Sequence, residues 1–165
     1  MSEGKSYTFT CDEIAKLIII PVIFEHNNRI MKTKALIDTG AAFSYISQFI
    51  SDSLSIPQTG KIYRVQFGED KADRPSVKTT LILSSDILFE NEEFTVLKDE
   101  PRLYDAIIGM NILSRTDFSV SNYNGQTIFS FRLPSQGEIK YGDAIDHEVD
   151  LKNVMDKIEN VLLST

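Results

Sequence analysis

In the stretch Ala35-Leu36-Ile37-Asp38-Thr39-Gly40-Ala41-Ala42-Phe43-Ser44-Tyr45-Ile46-Ser47, an apolar run delivers one carboxylate to a glycine turn, and an apolar pair follows soon after. A carboxylate at the end of a buried strand loses solvation, which is costly unless donors or a partner charge compensate. Candidate donors stand beside it: the amides of Gly40 and Ala41 and the hydroxyl of Thr39. Gly40 also opens a backbone path closed to residues with a Cβ. An acid held this way is suited to moving a proton as general acid or base. The plain alternative is a turn aspartate that caps the segment after it.

Other chemistries find less support. His26 and His147 are far apart, the single cysteine is remote from both, and no metal-ligand spacing occurs, so no metal and no cofactor are expected. Gly-x-Ser-x-Gly is missing, as are the glycine loops of nucleotide-binding folds. Cys11 reads as a small half-buried hydrophobe that cannot form an internal disulfide, so nothing asks for an oxidising compartment.

The elements that must position Asp38 are strands. Residues 6–10 make a short edge strand, 17–25 a β-branched strand in which Pro21 suggests an edge or a bulge, and 30–38 a strand running into the carboxylate. The polar turn His26-Asn27-Asn28-Arg29 joins the last two as a hairpin. Residues 44–53 carry apolar positions at near-helical spacing and predict one short helix, ended by Ile56-Pro57. Strands are expected at 61–68 and 77–83, with the polar loop Glu69-Asp70-Lys71-Ala72-Asp73-Arg74-Pro75 projecting between them. Two short strands, 86–89 and 93–97, should flank a turn at Glu90-Asn91-Glu92. Ala106-Ile107-Ile108-Gly109 is an apolar burst too short for a helix, followed by about one helical turn. Strands at 118–121 and 127–133 surround Asn124-Gly125, a strong hairpin signal.

Many short strands with turn signals between them and little helix indicate a closed barrel or a sandwich. At 165 residues this is one domain with a tail. The expected boundaries are a domain over 1–134, a linker over 135–149 and a C-terminal amphipathic helix over 150–165. In that helix Leu151, Val154, Met155, Ile158, Val161 and Leu162 share one face, and Asp150 is placed as N-cap. The stripe must be covered either by its own domain or by a second subunit.

The net charge of -7 argues against capture of a nucleic-acid backbone, which requires clustered Lys and Arg. The opening residues lack the pattern of a signal peptide. The longest apolar run, 17–24, contains Pro21 and is far shorter than the ~20 residues of a spanning helix. A soluble, cytoplasmic protein is expected.

Leu36-Ile37-Asp38-Thr39-Gly40-Ala41, followed by Ser44-Tyr45-Ile46-Ser47, resembles the active-site signature of retropepsin-like aspartic proteases. Tyr104-Asp105-Ala106-Ile107-Ile108-Gly109-Met110-Asn111-Ile112-Leu113 resembles the second signature of that family, especially in gag-pol retroelements and their bacterial relatives. The resemblance covers residues 17–133 and omits the C-terminal helix. It implies a closed acid-protease barrel and an aspartic endopeptidase that acts on peptide or protein substrates as a homodimer, since this chain carries a single Asp-Thr-Gly.

Within the family reading Asp38 is the catalytic residue and Thr39, Gly40 and Ala41 complete its loop. Thr39 would bond across the dimer axis, and Ile107, Ile108 and Gly109 would pack beneath Asp38. Gly68 with Glu69, Asp70, Lys71, Ala72, Asp73, Arg74 and Pro75 would form a flap that closes over the peptide. The chain has Ala42 where the family usually has Ser, Thr or Asp, and Asn111 where gag-pol proteins often carry Asp. A rival reading keeps the fold and drops the cleavage, leaving a catalytically weak or inactive dimerisation or peptide-binding module.

Overall fold

A computed structural model of the protein describes residues 4–67, 70–98 and 103–139. The mostly-β expectation holds, with 61% strand and 8% helix. In chain order the strands are β1 (Lys5–Thr10), β2 (Ile19–His26), β3 (Arg29–Ile37), β4 (Tyr45–Ser47), β5 (Gln58–Phe67), β6 (Asp70–Ser84), β7 (Ile87–Leu97), β8 (Ala106–Ile108), β9 (Asp117–Tyr123) and β10 (Gln126–Leu133). Two short helices interrupt them: α1 (Gln48–Leu54), expected as the one short internal helix, and α2 (Met110–Leu113), expected as about one helical turn.

The sheet order β2-β3-β8-β4-β7-β6 closes on itself because β6 also pairs with β2, giving a six-stranded barrel. Closure rests on a short seam, Ile23 to Glu25 against Ile82 to Thr80. Pro21 lies outside that seam and pairs only with Lys34 of β3, so its missing N–H costs no second ladder. A separate three-stranded sheet, β1-β10-β9, completes the body.

Local chemistry sets the turns. Asn27 and Asn28 both take positive φ between β2 and β3, as do Asn124 and Gly125 between β9 and β10. Ser47 caps α1 by accepting the N–H of Ile50 at 3.3 Å, and Ile50 and Leu54 enter the core. Among the described residues no helix is long and apolar enough to cross a membrane.

Three expectations need correction. Residues 45–47, expected inside the helix over 44–53, form strand β4, paired with β7 and β8, and α1 starts only at Gln48. The polar residues Asp70, Lys71, Ala72, Asp73, Arg74 and Pro75 are not a loop but the first part of β6, paired with β5 from Phe67↔Asp70 to Ile62↔Pro75. Its charged residues satisfy each other across the ribbon, as Arg64 and Asp73 do at 3.0 Å. Gly68 and Glu69 lie outside the described residues, as does the helix expected over 150–165. Likewise Glu90-Asn91-Glu92 is no turn: β7 runs through it. The register slips between Thr79↔Glu92 and Leu81↔Phe89, and Asn91 takes φ 55°, so the apparent turn residues form a bulge.

Alternation along four neighbouring strands makes two apolar surfaces. Ala35, Ile46, Val96, Ala106 and Ile108 face the main core with Phe24, Phe94 and Phe129. Their sequence neighbours Leu36, Leu97 and Ile107 face the other way and form a second cluster with Val65, flanked by Ala41, Tyr45, Tyr63 and Tyr104. Asp38, two residues beyond Leu36, follows the second face.

Candidate active site

β3 ends by delivering Asp38 to a loop that is fastened at almost every residue. The N–H of Ile37 donates to Ile18 O at 2.9 Å and that of Asp38 to Ile108 O at 3.0 Å, so the carboxylate leaves the sheet between two strands. Its Oδ1 accepts the N–H of Gly40 at 2.8 Å, and its carbonyl accepts that of Ala41 at 3.3 Å. Asp38 is half-buried, while Thr39 and Gly40 are exposed. A carboxylate oriented by a backbone donor and open to solvent on one side can accept or deliver a proton.

The second motif holds the loop from beneath. Met110 N–H donates to Ala41 O at 2.8 Å and Asn111 N–H to Ala42 O at 3.2 Å. Ser44 is fully buried; its Oγ accepts Gly109 N–H at 3.0 Å and donates to Asn111 Oδ1 at 2.8 Å. A Cβ on Gly109 would stand 2.7 Å from the carbonyl oxygen of Ala41, so this close approach requires glycine.

Of the residues singled out in the sequence, Asp38, Thr39, Gly40 and Ala41 form this loop, and Ile107, Ile108 and Gly109 lie against it. Ile107 pairs with both Leu36 and Tyr45 and lies in the second cluster, whereas Ile108 points into the main core. Asp70 to Pro75 belong to the β5–β6 ribbon, whose Tyr63 and Val65 reach that same cluster. Sequence reasoning placed Ser44 in the first motif without giving it a role, and it missed Tyr63. The signal for Ser44 was available in its polar side chain between two apolar segments.

A pocket of about 270 Å³ opens on this face, lined by Tyr45, Phe49, Leu97, Tyr104 and Ile107 with exposed Lys98 and Asp105. Burial pushes the Tyr45 hydroxyl above its ordinary value, and the negative charge of Asp38 pushes it further. Tyr45 lines the pocket and feels the charge of Asp38, which does not itself line it.

The chain resembles known proteins in sequence and in fold. A family model described as gag-polyprotein putative aspartyl protease matches residues 24–115. Among solved structures, a retropepsin-like aspartic protease from Rickettsia conorii is 17% identical at a TM-score of 0.51, covering 78% of this chain and 94% of that one. The retroviral protease-like domain of Ddi1 from Leishmania major is 19% identical at a TM-score of 0.46, covering 70% of this chain and 94% of its own. No curated protein matches the sequence. Both motifs fall inside the matched span, and the barrel is that of the retropepsin-like fold; the chain belongs to the gag-polyprotein putative aspartyl protease family.

Proposed function

We propose that this protein is an aspartic endopeptidase that works as a homodimer, with one Asp38 from each copy. The observation that carries the reading is the fixing of Asp38 by Gly40 N–H and Ile108 O, on a loop whose Ala41 packs against the second apolar cluster. One such loop per chain supports two copies per site. Two like carboxylates a few ångströms apart cannot both ionise cheaply, so the pair shares a proton. The ionised member takes a proton from water while the other donates to the scissile carbonyl, and a tetrahedral diol forms without a covalent intermediate.

In this scheme Thr39 bonds across the dimer axis, the exposed loop at Thr39 and Gly40 meets its mate, and the β5–β6 ribbon serves as the flap. The pocket beside Tyr45 takes a large apolar side chain of the peptide, since aromatic and aliphatic groups line it. Residues 1–134 make the protease domain, 135–149 a linker, and the stripe of the helix over 150–165 is covered by its own domain or by the partner copy. The lone cysteine and the acidic balance fit a cytoplasmic enzyme with no nucleic-acid partner.

Incubating the protein with a peptide library between about pH 4 and 7 tests the reading against Asp38→Asn. Cleavage by the parent chain that Asp38→Asn lowers by about 10²- to 10⁴-fold supports it. No cleavage in either sample leaves the binding-module reading standing in its place.

A further inference from the structure

Phe43, on the loop after Asp38, is 47% exposed, and its ring lies 5.5 Å from that of Tyr63 on β5. The Tyr63 hydroxyl donates to Glu93 Oε1 at 3.2 Å. The same carboxylate accepts from Ser76 Oγ at 2.7 Å and from Lys61 Nζ at 2.9 Å. Glu93 thus ties β5, β6 and β7 together where the ribbon leaves the barrel. Two residues further along β7, Thr95 N–H donates to the carbonyl of Ser44 at 3.0 Å. The contacts close a ring: Phe43 to Tyr63, Tyr63 to Glu93, and β7 back to Ser44, the neighbour of Phe43.

We propose that Tyr63 and Glu93 are positioning residues, a strut that couples the placement of the β5–β6 ribbon to the alignment of the loop bearing Asp38. This rests on the reading of Asp38 as the catalytic group. On its lower side the loop is bonded to the rigid β8–α2 segment through Gly109, Met110 and Asn111. The Tyr63 ring is a side-chain contact on the opposite element, so a shift of the ribbon is transmitted to Phe43. Ribbon position over a peptide and carboxylate geometry then change together, and small misplacements of reacting groups are costly in rate.

Hydrogen exchange of the full chain without substrate tests the coupling directly. In Tyr63→Ala, exchange over residues 39–44 should rise about tenfold while residues 126–133 stay unchanged. Tyr63→Phe, which keeps the ring against Phe43 and loses only the hydroxyl bond to Glu93, should raise exchange over 39–44 by a smaller factor, about threefold, and this variant decides the matter if the alanine variant does not fold. Unchanged exchange at 39–44 in a folded Tyr63→Ala, or an equal rise at 126–133, would overturn the strut. In the second arm the probe is the library peptide that the parent chain cuts best. Tyr63→Phe and Glu93→Gln should each lower kcat severalfold, up to about tenfold, with KM within about twofold. A change in KM alone overturns the proposal. A parent chain that cuts no peptide sinks the protease reading, and the exchange arm still decides the strut.

Discussion

The Oγ of Ser44 accepts the backbone N–H of Gly109 at 3.0 Å, and this buried bond joins the two sequence motifs into one body. Removing it leaves the Gly109 amide and Asn111 Oδ1 without their partner inside the protein. Ser44→Ala should cost about 1–3 kcal/mol in urea unfolding. Gly109→Ala should cost more than Ser44→Ala, because its Cβ meets the backbone of Ala41 and Phe43 rather than a movable side chain. Equal stability of Gly109→Ala and the parent chain would show that the loop is free to move away.

A site shared between two copies, as proposed, would make the rate depend on concentration. On dilution, specific activity should fall as dimers separate, and sedimentation should show monomer over the same range. Strict proportionality of rate to concentration, with monomer present, contradicts a site built from two chains.

The pocket beside Tyr45 should set preference. Leu97→Phe narrows it, and cleavage of peptides with large apolar residues should fall about tenfold relative to those with small ones. The cleavage profile of a peptide library reads this out. An unchanged ratio would separate the pocket from substrate selection.

Asp117 gives the protein an acid-side dependence. The N–H of Gln136, the hydroxyl of Ser135 and the Arg132 guanidinium hold its carboxyl well below the usual carboxylate range. A carboxyl lowered by folding contributes its full stabilisation above its unfolded value, near ~4, and loses it as pH falls toward the folded value. The Tm of Asp117→Asn should therefore lie below that of the parent chain near neutrality, and the gap should shrink as pH drops below about 4. A gap that is constant with pH would mean that the carboxylate charge is not what holds residues 135–137 to β9.

Much of the site was legible because its local signals agree. An apolar run into Asp-Thr-Gly marked β3 and its loop, Ala106 to Ile108 marked β8, and paired asparagines or Asn-Gly marked two tight turns. The ribbon was misread because Asp70 to Pro75 pair outside the barrel, where charged residues meet solvent and mimic a loop. The bulge at Asn91 was misread because an asparagine at positive φ serves a kinked strand as well as a turn. Tyr63 and Glu93 gave no signal, since their partners are Phe43 and Ser76, remote in sequence and brought together only by strand pairing.

The alternation through β3, β4, β7 and β8 assigns two duties to adjacent residues. Ala35, Ile46, Val96 and Ile108 answer to the packing of the barrel, while Leu36, Tyr45, Leu97 and Ile107 build the second cluster, and the last three also line the pocket. A substitution at either parity spends stability, since Leu36, Leu97 and Ile107 are buried too, but the second parity also reshapes the pocket beside Tyr45. Under the proposed function, divergence in what is cut would collect at the second parity, where each change is also weighed against the packing it disturbs.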